Sequence, residues 1–231
     1  MKVTYCGHAC MLVETKGKKL LFDPFLTYNE LFDAARLPHL SADQIQADYI
    51  LLSHGHEDHV ADAEQIARRT GATLISNAEI ISWYAKKGLA GHMMNHGGTW
   101  KFDFGTVRYV HAVHSSSLPD GSNGGNPGGF VIWNDEGCFY FAGDTALSMD
   151  MKLIPMTCPK LDFAILPIGD NFTMGPADAV LASSFIECDT VIGCHYDTFG
   201  YIKIDHAAAQ KAFSDNGKEL ILLPIGGSKA F

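Results

Sequence analysis

The chain has 231 residues, 47% of them hydrophobic and 19% charged, an ordinary globular composition with enough apolar material for a core. Its net charge of −9, with 17 thinly spread basic residues, argues against nucleic acid as a partner, because phosphate contacts dominate such affinity. No apolar run reaches the ~18 residues of a membrane span, the N-terminus lacks an export signal's apolar region, and the six scattered cysteines read as reduced thiols, so a cytoplasmic protein without a membrane partner is expected.

Short apolar runs at 3–6, 9–14 and 20–22 read as strands, with Lys16-Gly17-Lys18 as a hairpin turn. Residues 28–46 mix polar and apolar positions and are expected to carry short helices. Residues 49–53 form a continuous apolar run of the kind found in a buried central strand. A helix at 61–70 follows, ending near Gly71 with Arg68 and Arg69 in its last turn, where cations suit the dipole. A strand at 73–76 and a helix at 78–87, stopped at Gly88, come next. The second half continues with strands at 106–113, 130–134, 138–142, 163–166, 190–193 and 220–223. Helices are expected at 176–187, with Pro176 in a first-turn position, and at 205–215. Two β-rich stretches, each followed by αβ units, predict an α/β protein: a four-layer αββα sandwich forming a single domain over residues 1–231.

The chemistry concentrates at His54-Gly55-His56-Glu57-Asp58-His59, directly after the central strand. In extended backbone His54 and His56 point the same way, while Asp58 and His59 fall at the turn into the next helix and can face elsewhere. One ion could take the first pair and a second ion the other, ~3.5–4 Å apart as in two-metal sites. Imidazole and carboxylate donors suit zinc first, with manganese, iron or nickel also compatible. Paired divalent ions lower the pKa of water from about 15.7 toward ~7 and polarise a scissile carbonyl or phosphoryl group.

This pattern resembles the hallmark of the metallo-β-lactamase family, whose αββα architecture matches the order of elements read above. The resemblance covers essentially the whole chain. It implies a third ligand for the first ion at His114, in Val113-His114-Ser115-Ser116. It also implies a bridging Asp144, in Gly143-Asp144-Thr145, and a last ligand of the second ion at His195. The implied set is His54, His56 and His114 on one ion and Asp58, His59 and His195 on the other. Spacing alone does not separate His114 from His111, but the serines after His114 favour it.

The segments Gly7-His8-Ala9-Cys10, Phe22-Asp23-Pro24-Phe25 and 168–176 resemble a narrower branch, the metal-dependent hydrolases related to L-ascorbate-6-phosphate lactonase. Neither the β-CASP insertion of the nucleases nor the extra helical domain of glyoxalase II is expected. Asp58 and His8 are the catalytic candidates, His8 as a substrate-binding or proton-shuttling residue or, alternatively, a buried histidine bonded to backbone. Asp23 is expected either to orient a ligand histidine or to serve as a turn residue before Pro24. Asp170, Thr173 and Thr145 are weaker candidates of the same kind. His92 and His96 read as loop histidines, His39 and His206 as solvent-facing, and Cys194 as a core residue. The loop at 115–129, with five glycines, is expected to be a mobile flap over the site. It carries Asp120 and no Lys or Arg, which favours a neutral or small polar substrate. The expected activity is hydrolysis of an ester, lactone, amide or phosphodiester of a small molecule. The alternative is a non-catalytic metal- or ligand-binding protein, and a homo-oligomer is compatible with either.

Overall fold

The apolar runs pair into two seven-stranded sheets in a computed structural model, which describes residues 1–231. Each sheet belongs to one of two units. The first comprises Met1–Asn95, Ser115–Pro127 and Pro224–Phe231, the second His96–His114 and Gly128–Leu223.

The first unit holds β1 (Lys2–Gly7), β2 (Cys10–Thr15), β3 (Lys18–Phe22), β4 (Tyr49–Leu51), β5 (Thr73–Asn77), β6 (Gly91–Met94) and, from the chain end, β14 (Ser228–Ala230). Their order is β14-β1-β2-β3-β4-β5-β6. β2 and β3 form a hairpin whose turn residues Lys16 and Gly17 have φ of 51° and 72°, the left-handed pair that a tight two-residue turn demands. From β3 onward neighbouring strands are parallel. The crossovers after β4 and β5 carry α1 (Glu57–Val60), α2 (Ala63–Thr70) and α3 (Ala78–Ala85). One face of the sheet, with Leu12, Leu21, Ile50 and Leu74, packs with Ile66, Ile80 and Tyr84 of the helices. The opposite face, with Val13, Leu20, Leu51 and Ile75, is fully buried too. Burial on both faces is why these strands read as continuous apolar runs rather than alternating ones.

Residues 28–46 depart from expectation. Instead of short helices they hold one 3-10 turn, Pro38–Leu40, among irregular turns. The side chains of Asn29 and Asp33 accept hydrogen bonds from the N–H groups of Leu31 and Ala35, closing local turns that compete with helix.

The second unit holds β7 (Thr99–Phe102), β8 (Gly105–His111), β9 (Gly128–Asn134), β10 (Gly137–Phe141), β11 (Phe163–Pro167), β12 (Thr190–Cys194) and β13 (Glu219–Ile221). They lie in the order β13-β12-β11-β10-β9-β8-β7, antiparallel from β7 to β10 and parallel from β10 to β13. Its helices are α4 (Leu153–Thr157), α5 (Pro176–Phe185) and α6 (His206–Ser214). Pro176 starts α5, and Asp205 caps α6 by accepting the Ala208 N–H at 3.0 Å. The strands β6, β7 and β14 carry no apolar alternation, being short and mostly exposed, so backbone pairing alone reveals them. No helix is long and apolar enough to cross a membrane.

This topology places the chemistry. Strands β1, β3, β4 and β5 run in one direction, so His8, Asp23, the 54–59 motif and Asn77 all emerge at or just past one edge of their sheet. Strands β8, β10, β11 and β12 do the same for His114, Asp144, Asp170 and His195. Carboxyl ends of parallel strands are where α/β sheets present ligand-binding loops.

Candidate metal centre

In the first unit the motif leaves β4 and turns into α1. His54 and His59 are buried, His56 is half-buried, and Asp58 keeps part of its carboxylate exposed. The His54 ring centroid lies 4.5 Å from that of His56 and 4.1 Å from that of His59. Donor atoms of Asp23, His54 and His59 lie within 4.8 Å of one another.

Neighbouring groups distinguish the two nitrogens of each ring. Ser53 Oγ is 2.9 Å from His54 Nδ1, Asp23 Oδ2 is 2.8 Å from His59 Nδ1, and Ser115 Oγ is 3.2 Å from His56 Nε2. A ring that engages one nitrogen in this way presents the other to an ion. His54 and His59 are thus engaged at Nδ1, and His56 at Nε2. Asp23 is itself fastened by Ser53, whose N–H donates to Oδ1 at 2.8 Å and whose hydroxyl donates to Oδ2 at 2.5 Å. Burial raises the Asp23 carboxyl above its ordinary value, while the bonds from His59 and Ser53 pull it back. Ser53 therefore contacts the His54 ring directly and fastens the carboxylate that contacts the His59 ring. Its place directly before the motif was the only signal for it in the sequence.

His8 sits buried at the β1–β2 corner with φ of 57°. Its Nε2 is 2.9 Å from Asp58 Oδ2, which in turn lies 3.6 Å from His59 Nε2. The His8 ring meets Phe25 edge-on, centroids 5.4 Å apart. Asp62 braces that segment by accepting the Leu26 and Thr27 N–H groups at 2.6 and 3.0 Å. Nothing in the spacing of the sequence marked Asp62.

The 115–129 loop is tied down, contrary to the flap expected from its glycines. Ser116 Oγ accepts the Gly55 N–H at 3.0 Å and donates to Gly124 O at 2.9 Å. Leu118 N–H donates to Ser122 O, Asn77 Nδ2 donates to Gly124 O at 2.7 Å, and Trp83 Nε1 donates to Asp120 at 2.6 Å. Leu118 joins the core. A Cβ at Gly55 would stand 3.2 Å from the Leu118 side chain, so the glycine inside the motif admits this loop.

In the second unit Asp144 is buried, with Oδ2 3.0 Å from His195 Nε2 and 3.6 Å from His114 Nε2. One carboxylate thus faces two imidazoles that leave different strands. Thr145 Oγ1 accepts the Val113 N–H at 3.0 Å and donates to Ala146 O at 2.7 Å, coupling the exits of β8 and β10. His111 turns away: its Nδ1 lies 3.0 Å from Asp150 Oδ2 on the surface. Asp170 and Thr173 serve their own turn, bonding Asn171 N–H and Met174 O. His206 is exposed, as expected, and its Nε2 lies 2.6 Å from Asp197 Oδ2 at the corner after His195. His92, expected in a loop, lies on β6, and His96 stacks on Tyr109 at 5.0 Å. His39 is exposed and Cys194 buried, as expected.

Backbone strain marks the same edges. Of the eight non-glycine residues with positive φ, six are His8, Asp23, Asp170, Asn171, His195 and Asp197. Each left-handed residue costs on the order of 1 kcal/mol or more, and such outliers gather at functional sites. The donor set itself fits divalent cations: imidazoles with one nitrogen held by a neighbour, and carboxylates that offset the added charge.

Comparison with known proteins agrees. A family model described as beta-lactamase superfamily domain matches residues 2–195. A UPF0173 metal-dependent hydrolase of Flavobacterium johnsoniae is 58% identical over 228 residues, covering 99% of each chain. One from Methylacidiphilum infernorum is 50% identical over 97% of each. Igni18, a metallo hydrolase of Ignicoccus hospitalis, superimposes with a TM-score of 0.88 at 33% identity, covering 100% of this chain and 98% of its own. The chain belongs to the beta-lactamase superfamily and has the metallo-β-lactamase α/β fold. Its activity class is that of a metal-dependent hydrolase.

Proposed function

We propose that the chain uses a dinuclear centre to hydrolyse an ester, lactone, amide or phosphodiester bond of a small molecule. In this reading His54, His56 and His114 would hold one cation, Asp58, His59 and His195 would hold the other, and Asp144 would serve both; zinc suits the set first. The observation that carries it is Asp144 Oδ2, which faces both His195 Nε2 and His114 Nε2, one imidazole from each proposed ligand set. Divalent cations bound there supply Lewis acidity and bring the pKa of water toward neutrality. The chain's own contribution is orientation and proton handling. Ser53, Asp23 and Ser115 fix which nitrogen each ring presents. Asp58, partly exposed, has Oδ2 2.9 Å from His8 Nε2, so His8 would steady this carboxylate and carry the proton exchange at its own Nε2.

The test is metal analysis with a screen of simple esters, lactones and phosphodiesters. Two zinc ions per chain and turnover of one class are expected, with both lost in Asp144→Ala while the circular dichroism spectrum is kept. Stoichiometric metal without turnover of any class would favour a non-catalytic binding protein instead.

A further inference from the structure

Two exposed aromatic rings stand on the loops that follow β11 and β12. Phe172 is 48% exposed and Tyr201 80% exposed. Their rings meet edge to face with centroids 6.3 Å apart. Exposed single apolar residues need no explanation, but a paired aromatic contact at a strand-end loop does.

Both loops are anchored to the donors of the second unit. Met174 N–H donates to Thr145 O at 3.1 Å, fixing the Phe172 loop to the residue after Asp144. A Cβ on Gly169 would lie 2.1 Å from His195 O, so the same loop lies against the His195 backbone. The Tyr201 loop begins at His195 itself. Asp197 N–H donates to Ile202 O at 2.8 Å, and Ile202 is fully buried, so Tyr201 projects from a fixed base. Four strained residues, Asp170, Asn171, His195 and Asp197, hold these turns. Charge in these loops favours one ligand class: residues 168–175 and 195–202 contain Asp170 and Asp197 and no Lys or Arg, Lys203 following directly, so the loops themselves suit an uncharged group better than an anion.

We propose that Phe172 and Tyr201 form an apolar rim beside the Asp144–His195 donors, and that this rim receives the aryl or alkyl group of a neutral substrate. The proposal rests on the hydrolytic reading above and narrows it to uncharged esters, lactones or amides with an apolar substituent. Aromatic side chains offer such a group area and edge-to-face geometry at little entropic cost.

Two metal-chelating probes that differ only in their substituent separate the rim from the centre. Calorimetric titration of the zinc-loaded protein with benzohydroxamate and acetohydroxamate should show about tenfold tighter binding of the aryl probe. The double variant F172A/Y201A should lose that preference with acetohydroxamate affinity unchanged, and Tyr201→Phe should keep it. Equal binding of both probes to the wild-type protein, or a preference that survives the double variant, would overturn the rim while leaving the centre intact. Failure of both probes to bind would overturn the open-centre reading, and the rim with it. A double variant with altered mass by light scattering and an intact probe ratio would assign the rings to contact between copies, which also overturns the proposal.

Discussion

Substitution of Asn77 tests whether the 115–129 loop is a fixed wall. The side chain is buried at the end of β5 and does two things at once. Its Oδ1 accepts the Ile80 N–H at 2.9 Å and caps α3, while Nδ2 donates to Gly124 O at 2.7 Å and Asn126 O at 3.2 Å. Loss of an N-cap costs about 1 kcal/mol. Depriving two carbonyls of a buried donor costs about 1 kcal/mol each. Asn77→Ala should therefore destabilise by about 3 kcal/mol, lowering Tm by about 6–12 °C for a chain of this size. Asn77→Ser retains a capping oxygen but cannot reach Gly124 O, so it should lose only the staple, about 2 kcal/mol. Thermal unfolding gives the totals, and hydrogen exchange of residues 116–126 reports the staple. In both variants those amides should exchange faster than in the wild type. A Tm shift below about 3 °C for Asn77→Ala, with loop exchange unchanged, would refute the reasoning and restore a freely moving flap.

Three further outcomes follow from the same structure. Asp23→Ala should keep the fold but weaken zinc binding about 10–100-fold in a chelator competition, because His59 Nδ1 loses its acceptor; unchanged affinity would exclude an orienting role. Burial pushes the Cys138 thiol up to about 12 and that of Cys188 to about 11, so iodoacetamide at pH 8 should label both only in urea. Stoichiometric labelling of native Cys138, read by mass spectrometry, would contradict this. Bonds from Ser122 and Trp83 lower the Asp120 carboxyl to about 2. Its contribution is therefore present above the ordinary carboxylate range and lost as pH falls through about 2. The Trp83 indole N–H resonance, assigned with Asp120→Ala, should hold steady from neutral pH to about 4 and shift below it; a transition near pH 6 would count against the pairing.

The legible part of the fold was its buried middle. Strands β4, β11 and β12, and β3 from Leu20 to Phe22, are mostly apolar because both faces are buried, and that burial is written directly into residue type. Edge strands β7 and β14 are mostly exposed, so they left no such imprint. The 28–46 segment misled because its mix of polar and apolar positions was read as short helices, whereas Asn29 and Asp33 close side-chain turns. Glycines were read as mobility in the 115–129 loop, yet glycine also permits close approach, as at Gly55 against Leu118.

The sequence by itself determined the donor types of the 54–59 motif and the order in which His114, Asp144 and His195 follow it. Metal chemistry needs particular donor types, and donor identity is a property of the residue alone. Which ring nitrogen each histidine presents, and the bracing of the β1–β3 edge by Ser53 and Asp62, were decided only in three dimensions. So were the clustering of left-handed residues at the strand ends and the meeting of Phe172 with Tyr201. These depend on hydrogen bonds and packing between residues from 1 to about 36 positions apart, and no local pattern of residue types encodes such pairings.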